Sequence, residues 1–409
     1  MGYLASPMWY NAAMLELPRL VDQVHAMGEE IARRRADYAR LLADARDALQ
    51  RFHQVDQALM DKIDTAKRED SSWRGARPLD ENVGLNARFI PQTPAEDVSL
   101  IAVDGSQIYP DRHGPALYYL INTGVIVLRQ GTGQAPIVAT RPQLFFREDD
   151  LYNDELELLH ADKVNDLREL EEMRELARWA AQERAYWGGD LDRLILALTD
   201  GPLLTWARED RQDPETQARI QAYLRALAAI QETGAVPIGY VARPRSANVL
   251  RLLHVAQLPE EAITKAHVRT SRYRALTDAT LFADLRPNER TALFVSTAQV
   301  NEGEFALAGQ KIAFFYLNVS RHENEPRIAR VDIPVWATEQ PGLVDRIHRA
   351  IYEDADGSGY PYVLIRAHEL ALITHHERME LESMLNIEVM RRTAQPLTPS
   401  VKQELKRHF

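Results

Sequence analysis

The stretch Ile101-Ala-Val-Asp-Gly-Ser-Gln107 sets an aspartate at the end of a short apolar run, where a glycine can turn the backbone. The arrangement recurs in Leu194-Ile-Leu-Ala-Leu-Thr-Asp-Gly-Pro-Leu203, which gives Asp200 the same setting. Short continuous apolar runs read as strands buried on both faces, so Asp104 and Asp200 are expected at rigid strand ends beside open turns. A divalent cation needs that setting: fixed carboxylate oxygens on one side and room for a ligand on the other. One Asp-Gly pair is an ordinary turn. Two, each behind a buried-strand pattern, point to a paired site.

Composition narrows the chemistry. With Cys 0 in 409 residues, disulfides, thiolate ligands and a cysteine nucleophile are all excluded. Oxygen and imidazole ligands remain, which favours Mn²⁺ or Mg²⁺ over structural zinc. A net charge of -11 argues against a surface that coats nucleic acid indiscriminately, although a local basic channel can persist inside an acidic protein. Local basic clusters do occur, at Arg243-Pro-Arg245, Arg251 and His267 to Arg274. No apolar run approaches the roughly 20 residues that span a bilayer. The N-terminus lacks the basic and apolar regions of a secretory signal, so a cytoplasmic location is expected.

The pattern along the chain predicts an α/β fold, a mixed sheet covered by helices. Residues 18–67 carry apolar positions mostly at threes and fours and read as helix throughout. This is a long N-terminal arm, an antiparallel pair or coiled-coil-like, suited to packing or dimerisation. Prolines, glycines and acids over 69–97 read as an irregular linker. Strands are expected at Leu100–Val103, Ala116–Asn122 and Gly124–Gln130, the last two joined by a turn. A helix over 153–186, a strand over 194–199, a helix over 214–233 and a strand over 236–241 follow. Strands at 311–318 and 327–333, then helices at 342–354 and 361–386, complete the order. The expected units are an arm and linker (1–80), a main domain (95–390) and a C-terminal tail (391–409).

The 153–186 helix is rich in acid. At roughly 100° per residue, Glu172 and Glu183 fall at the border of its apolar stripe and Glu169 nearer the centre, while Glu171 and Glu175 point away. A border carboxylate can bend to a sheet edge and join strand-end ligands. Phase alone leaves Glu169, Glu172 and Glu183 open.

Several strings, taken in order, resemble one family. They are Val103-Asp-Gly-Ser-Gln107, Arg168-Glu-Leu-Glu-Glu172-Met-Arg-Glu-Leu176-Ala and Leu198-Thr-Asp200-Gly-Pro-Leu-Leu-Thr-Trp206. Pro237-Ile-Gly-Tyr-Val-Ala-Arg-Pro-Arg-Ser246, Phe314-Phe-Tyr-Leu-Asn318, Ile328-Ala-Arg-Val-Asp-Ile-Pro-Val-Trp336 and Gly359-Tyr-Pro-Tyr-Val-Leu-Ile-Arg-Ala-His368-Glu follow. Together they resemble the NurA nuclease family over about residues 100–369. The resemblance implies a metal-dependent DNA nuclease with a ribonuclease-H-like sheet, usually a homodimer. It would act as a 5′–3′ exonuclease or single-strand endonuclease, processing DNA ends for double-strand-break repair with a HerA-like hexameric translocase. It further implies Mn²⁺ held by Asp104, Glu172 and Asp200, with His368 as the late histidine. A slip of one helical turn would nominate Glu169 or Glu175 instead.

The chemistry is coherent on its own terms. Phosphodiester hydrolysis needs an activated water and charge stabilisation on the attacking and leaving oxygens, which two divalent ions supply together. His368 could reach an ion, or orient the water or leaving group; by residue type alone it reads as an ordinary surface or core histidine. Tyr240, Arg243 and Arg245 follow a strand and could meet the substrate backbone, since guanidinium forks suit phosphate oxygens. Tyr360 and Tyr362 could stack on bases of a single strand, or simply pack. With no Gly-x-x-x-x-Gly-Lys-Ser/Thr loop in the sequence, ATP hydrolysis would fall to a partner. Two other classes fit less of the sequence: an adaptor that assembles a translocase without strong catalysis, and a nuclease acting on RNA or hybrids.

Overall fold

The computed structural model describes residues 17–92, 97–112, 114, 116–152, 156–204, 213–355 and 358–393. The start of the arm, the Thr205–Trp206 end of one family string and most of the expected tail lie outside them. Before the first predicted strand come the short β1 (Ala76–Pro78) and β2 (Arg88–Phe89). Then β3 (Val98–Ile108), β4 (Tyr119–Arg129) and β5 (Ile137–Phe145) form an antiparallel meander. The remaining strands are β6 (Leu194–Asp200), β7 (Val236–Val241), β8 (Arg290–Thr291), β9 (Phe294–Ser296), β10 (Ile312–Asn318) and β11 (Ile328–Pro334). All join one mixed sheet with the path β1-β9-β10-β11-β7-β6-β3-β4-β5, and β8 and β2 attach beside β10.

Helices cover this sheet. α1 (Val21–Arg51) and α2 (Gln57–Glu69) precede it, and α3 (Glu148–Leu151) and α4 (Ala161–Tyr186) follow β5. α5 (Pro214–Glu232) links β6 to β7; α6 (Asn248–Gln257), α7 (Lys265–Arg269) and α8 (Asp278–Leu281) lead to β8. α9 (Val335–Thr338), α10 (Leu343–Asp354), α11 (Tyr362–Ala371) and α12 (His375–Thr393) come after β11. No helix among the described residues is long and apolar enough to cross a membrane.

Side-chain alternation along the central strands decides which helix meets which residue. Ile101 and Val103 share a core with Leu170, Met173 and Leu176 of α4. Leu100, Ala102, Leu196 and Leu198 turn the other way, into a core with Val363, Leu364 and Ala367 of α11. The apolar runs seen in sequence are therefore strands buried on both faces, with β3 and β6 parallel and in register from Val98↔Leu194 to Val103↔Thr199.

Four expectations need correction. The strands predicted over 116–122 and 124–130 are one strand, β4, with no turn between Asn122 and Gly124. A Cβ at Gly124 would lie 2.6 Å from the Ala367 carbonyl oxygen, so its bare backbone is what lets α11 seat on the strand. The helix predicted over 361–386 breaks at 372–374 into α11 and α12. The helix predicted over 18–67 also breaks, because Asp56 caps α2 by accepting from the Leu59 amide at 2.8 Å. Ala45, Leu49 and Ile63 then share a core with Leu253 of α6 and Phe314 and Tyr316 of β10, so this stretch is built into the sheet's own packing. The expected linker is irregular apart from β1 and β2.

Candidate active site

Asp104 and Asp200 come together because parallel pairing aligns their strands. The β3–β6 register ends at Val103↔Thr199, one step before the aspartates. β3 itself runs on to Ile108, paired with β4, so Asp104 stands where its β6 neighbour stops and is not a terminal residue of its own strand. Asp200 is the last residue of β6, and Gly201 turns the chain with φ of 125°, a conformation that only glycine adopts readily.

By strand parity Asp104 faces α11, and there it meets His368. The His368 Nδ1 lies 2.6 Å from Asp104 Oδ2. A carboxylate can only accept, so Nδ1 carries the hydrogen and a neutral ring presents Nε2 as an acceptor. Asp104 Oδ1 accepts from the Gly105 amide at 2.8 Å, which fixes the carboxylate plane. The helix bearing His368 is tied down at its end, where Ser106 Oγ and Asn122 Nδ2 both donate to the Ala371 carbonyl.

Glu172 arrives from the opposite face. A Cβ at Gly105 would lie 2.6 Å from Glu172 Oε1 and 2.8 Å from Arg168 Cγ. The missing side chain is a gap through which α4 delivers its carboxylate to the strand edge. Glu172 is buried and ion-paired with Arg168, whose guanidinium also lies 3.5 Å from the Gly105 carbonyl oxygen. Burial pushes the Glu172 carboxyl up to about 8; Arg168 opposes that rise, and the Asp104 and Glu169 charges add to it. Asp200 is also raised, first by its crowded surroundings and then by Asp104, while a hydrogen bond from the Tyr360 hydroxyl works against the rise.

A cavity of about 620 Å³ adjoins this edge, with Asp200, Glu172, Arg168 and Asn165 in its wall. The other acidic residues of α4 are placed differently from the helical phase. Glu175 does not point away to solvent: it is 1% exposed and paired with Arg141 of β5 and Arg178. Glu169 is exposed at the cavity wall. The reason is that α4 lies between the sheet and α5, so more than one of its faces is covered. Glu183, at the far end of α4, is buried with Arg129.

The residues expected to meet substrate divide. Tyr240 is fully buried, donates to the Gly359 carbonyl at 2.8 Å and packs edge-on against Tyr360. Its place in the middle of the sheet rules out the direct contact expected of it, and it supports Tyr360 instead. Tyr360 is half-buried and turns its hydroxyl to Asp200; Arg243, Arg245 and Tyr362 are exposed. Sequence reasoning passed over Arg168, whose signal was its spacing of four from Glu172. It also passed over Asn165 on the cavity wall, which Tyr109 and Gln107 hold by hydrogen bonds of 2.7 and 3.0 Å.

The donors Asp104, Glu172, Asp200 and His368 are three carboxylates and an imidazole, the right types for Mn²⁺ or Mg²⁺. The buried, raised carboxyl of Glu172 beside Asp104 is the electrostatic setting that a bound cation relieves. The side chains are gathered rather than caged: among the described residues no three His, Asp or Glu side chains converge as a ready ligand set.

No curated protein matches the chain. Among solved structures it is similar to the NurA nuclease from Sulfolobus solfataricus, at 13% identity and a TM-score of 0.45, over 84% of this chain and 97% of that one. It is also similar to the catalytic domain of human endonuclease V, at 12% identity and a TM-score of 0.33, over 81% of this chain and 98% of that one. The family model of the NurA domain matches residues 98–373, the meander, both aspartates, α4 and α11 together. That is more than half of the sequence, and the chain belongs to the NurA family.

Proposed function

We propose that the protein is a metal-dependent DNA nuclease, acting as a 5′–3′ exonuclease or single-strand endonuclease on a ribonuclease-H-like sheet. The observation that carries this reading is that Asp104, in contact with His368, and the neighbouring Asp200 and Glu172 lie along one sheet edge beside an open cavity. Membership of the NurA family supports it. Asp104, Glu172, Asp200 and His368 would hold Mn²⁺, with Mg²⁺ as substitute and two ions as the expected number. Bound there, such ions would lower the pKa of a water so that hydroxide is available to attack phosphorus, and would offset charge on the leaving oxygen.

The protein's own residues prepare that chemistry. Asp104 fixes the His368 ring so that Nε2 faces outward, able to bind an ion or accept a proton from water. Tyr360 orients Asp200, and Arg168 lies against Glu172 and opposes the rise of its carboxyl. Purified protein on end-labelled single- and double-stranded DNA, with Mn²⁺, Mg²⁺ or EDTA, tests the reading directly. Cleavage with either ion, abolished by EDTA and by Asp104→Ala or Asp200→Ala in folded protein, is the expected result. Substantial turnover surviving in either variant overturns the assignment.

The assembly we propose is a homodimer docked on a HerA-like hexameric ATPase that feeds the strand during repair of DNA ends, inside the cytoplasm. An acidic protein without its own phosphate-binding ATP loop fits such a division of labour. Light scattering is expected to give a dimer mass, and the partner with ATP to stimulate digestion. Unaided degradation of long duplexes by a monomer at micromolar concentration counts against this arrangement.

A further inference from the structure

A second cavity, of about 300 Å³, lies beside the carboxylate edge, and Pro202 lines both. Arg74, Arg245, Arg251 and Arg330 line it, and among the described residues no carboxylate does. The acids beneath are already committed. Asp278 accepts from the Val249 and Leu250 amides at 3.0 Å each and from the Tyr316 hydroxyl at 2.7 Å, filling the start of α6. Asp332 accepts from Arg330 Nε at 2.7 Å. Arg251 reaches only the Arg74 carbonyl, at 3.0 Å, and Arg245 is exposed with no ion pair among the described residues. Arg330 is thus paired within the fold, while Arg245 and Arg251 bring guanidinium charge to the wall without an ion pair among the described residues.

The sheet register fixes where this pocket stands. Asp200 aligns with Tyr240 of β7, and the next residue, Val241, aligns with Arg330 of β11. Two strand spacings, about 10 Å in all, separate β6 from β11. A stacked strand advances about 3.4 Å per nucleotide, so the gap spans a few nucleotides. Guanidinium forks match phosphate oxygens, and a recess walled by several of them suits a tetrahedral anion.

We infer that this arginine-lined recess is a phosphate-binding pocket that grips the nucleic-acid backbone a few nucleotides from the Asp104–Asp200 edge. The inference rests on the nuclease reading and adds where the strand is held. Its ligand is either a terminal phosphate monoester or an internal diester, chemistries that the same guanidiniums serve. Held there, a strand would present one phosphodiester bond at a time to the carboxylates.

Fluorescence anisotropy of a short 3′-fluorescein-labelled single strand, in EDTA so that cleavage cannot intervene, reads the pocket separately from catalysis. Arg245→Ala is expected to weaken binding roughly tenfold and to make the slope of log K against log salt shallower by about 0.7. Arg245→Glu should lose more, and Arg391→Ala on the remote α12 should lose nothing. A loss confined to strands bearing a 5′-phosphate assigns the pocket to a terminal monoester; an equal loss on 5′-hydroxyl strands assigns it to an internal diester. Wild-type affinity and salt slope in both Arg245 variants overturn the pocket, and leave the nuclease reading intact if Asp104→Ala still abolishes Mn²⁺-dependent cleavage. If the wild type neither binds nor cleaves, the nuclease reading falls and takes the pocket with it.

Discussion

At one end of β3, Ser99 meets Glu183 of α4; at the other, Gly105 makes way for Glu172 of the same helix. Both glutamates are buried and both face an arginine. Glu183 accepts from Ser99 at 2.6 Å, from Trp187 Nε1 at 2.6 Å and from two nitrogens of Arg129. Burial alone would raise its carboxyl, yet those donors hold it below the ordinary value. Glu172 has Arg168 as its hydrogen-bond donor and Asp104 as a like-charged neighbour, and its carboxyl rises to about 8. Residue type is the same in the two places, and Glu172 is the more deeply enclosed, which is the first cause of its rise. Depth, the number of donors and the presence of a second acid together separate the two carboxylates.

Breaking each end should therefore do opposite things. Asp104→Asn and Glu172→Gln are expected to cut cleavage by about 10²–10⁴-fold while leaving the metal-free melting temperature unchanged or higher. Glu183→Gln should spare the active edge but cost about 3–5 kcal/mol, because it strands the buried Arg129 charge. Denaturant melts and single-turnover cleavage, run on the same preparations, check both halves. Should Glu183→Gln melt like the wild type, the contrast collapses.

Gly124→Val comes next in size. Its side chain would run into the backbone of α11 near Ala367 and Leu370, which can yield only by moving the helix. A loss of about 1–3 kcal/mol together with a large fall in cleavage is expected, since His368 rides on that helix. Full activity in a folded Gly124→Val protein would show that the seating of His368 is loose.

A third buried group sharpens the comparison with pH. His348 is fully buried beside Phe315, and burial, helped by the Arg290 and Arg349 charges, pushes its imidazole down to about 3. The unfolded chain protonates this ring near pH 6.5, so between about 3 and 6.5 the unfolded state binds the extra proton. Stability from this group is complete above pH 6.5 and is lost as the pH falls. Glu183, whose folded value is lowered, also loses its contribution in acid. Melting curves of His348→Leu from pH 8 down to pH 5 should fall less than those of the wild type, a window that lies above the range in which the Glu183 contribution is lost.

The smallest effect is expected at Glu169. Exposed on the cavity wall, its Gln variant should change stability by no more than about 0.5 kcal/mol and cleavage far less than Glu172→Gln does. Equal losses at the two positions, read in one cleavage assay, would mean that α4 presents a general acidic surface and no specific ligand.

Much of this was legible in the sequence. The runs before Asp104 and Asp200 are strands because uninterrupted apolar residues can be buried on both faces, and β7 has the bounds predicted for it. β5 escaped notice because it is an exposed edge strand with Pro142 inside it, so it carries neither an apolar run nor a clean alternation. A turn was read between Asn122 and Gly124, since sequence cannot tell a glycine that follows a bend from one that admits a neighbour. The placement of Glu175 failed for a related reason: helical phase finds one apolar face, and a helix wedged between a sheet and another helix has two. Tyr240 shows the limit for aromatics, where a sheet's third dimension decides between core and substrate.

Gly105 is a window in a wall, and windows have a consequence for timing. The sheet edge takes one acid through it from α4, and a histidine from the other side on α11, nearly two hundred residues further along the chain. A polypeptide emerging from the ribosome already carries Asp104, Glu172 and Asp200 long before His368 exists. Whatever chemistry depends on that ring is withheld until α11 has seated itself on Gly124. Synthesis order thus acts as a safety catch, one that a circular permutant starting just before α11 would release.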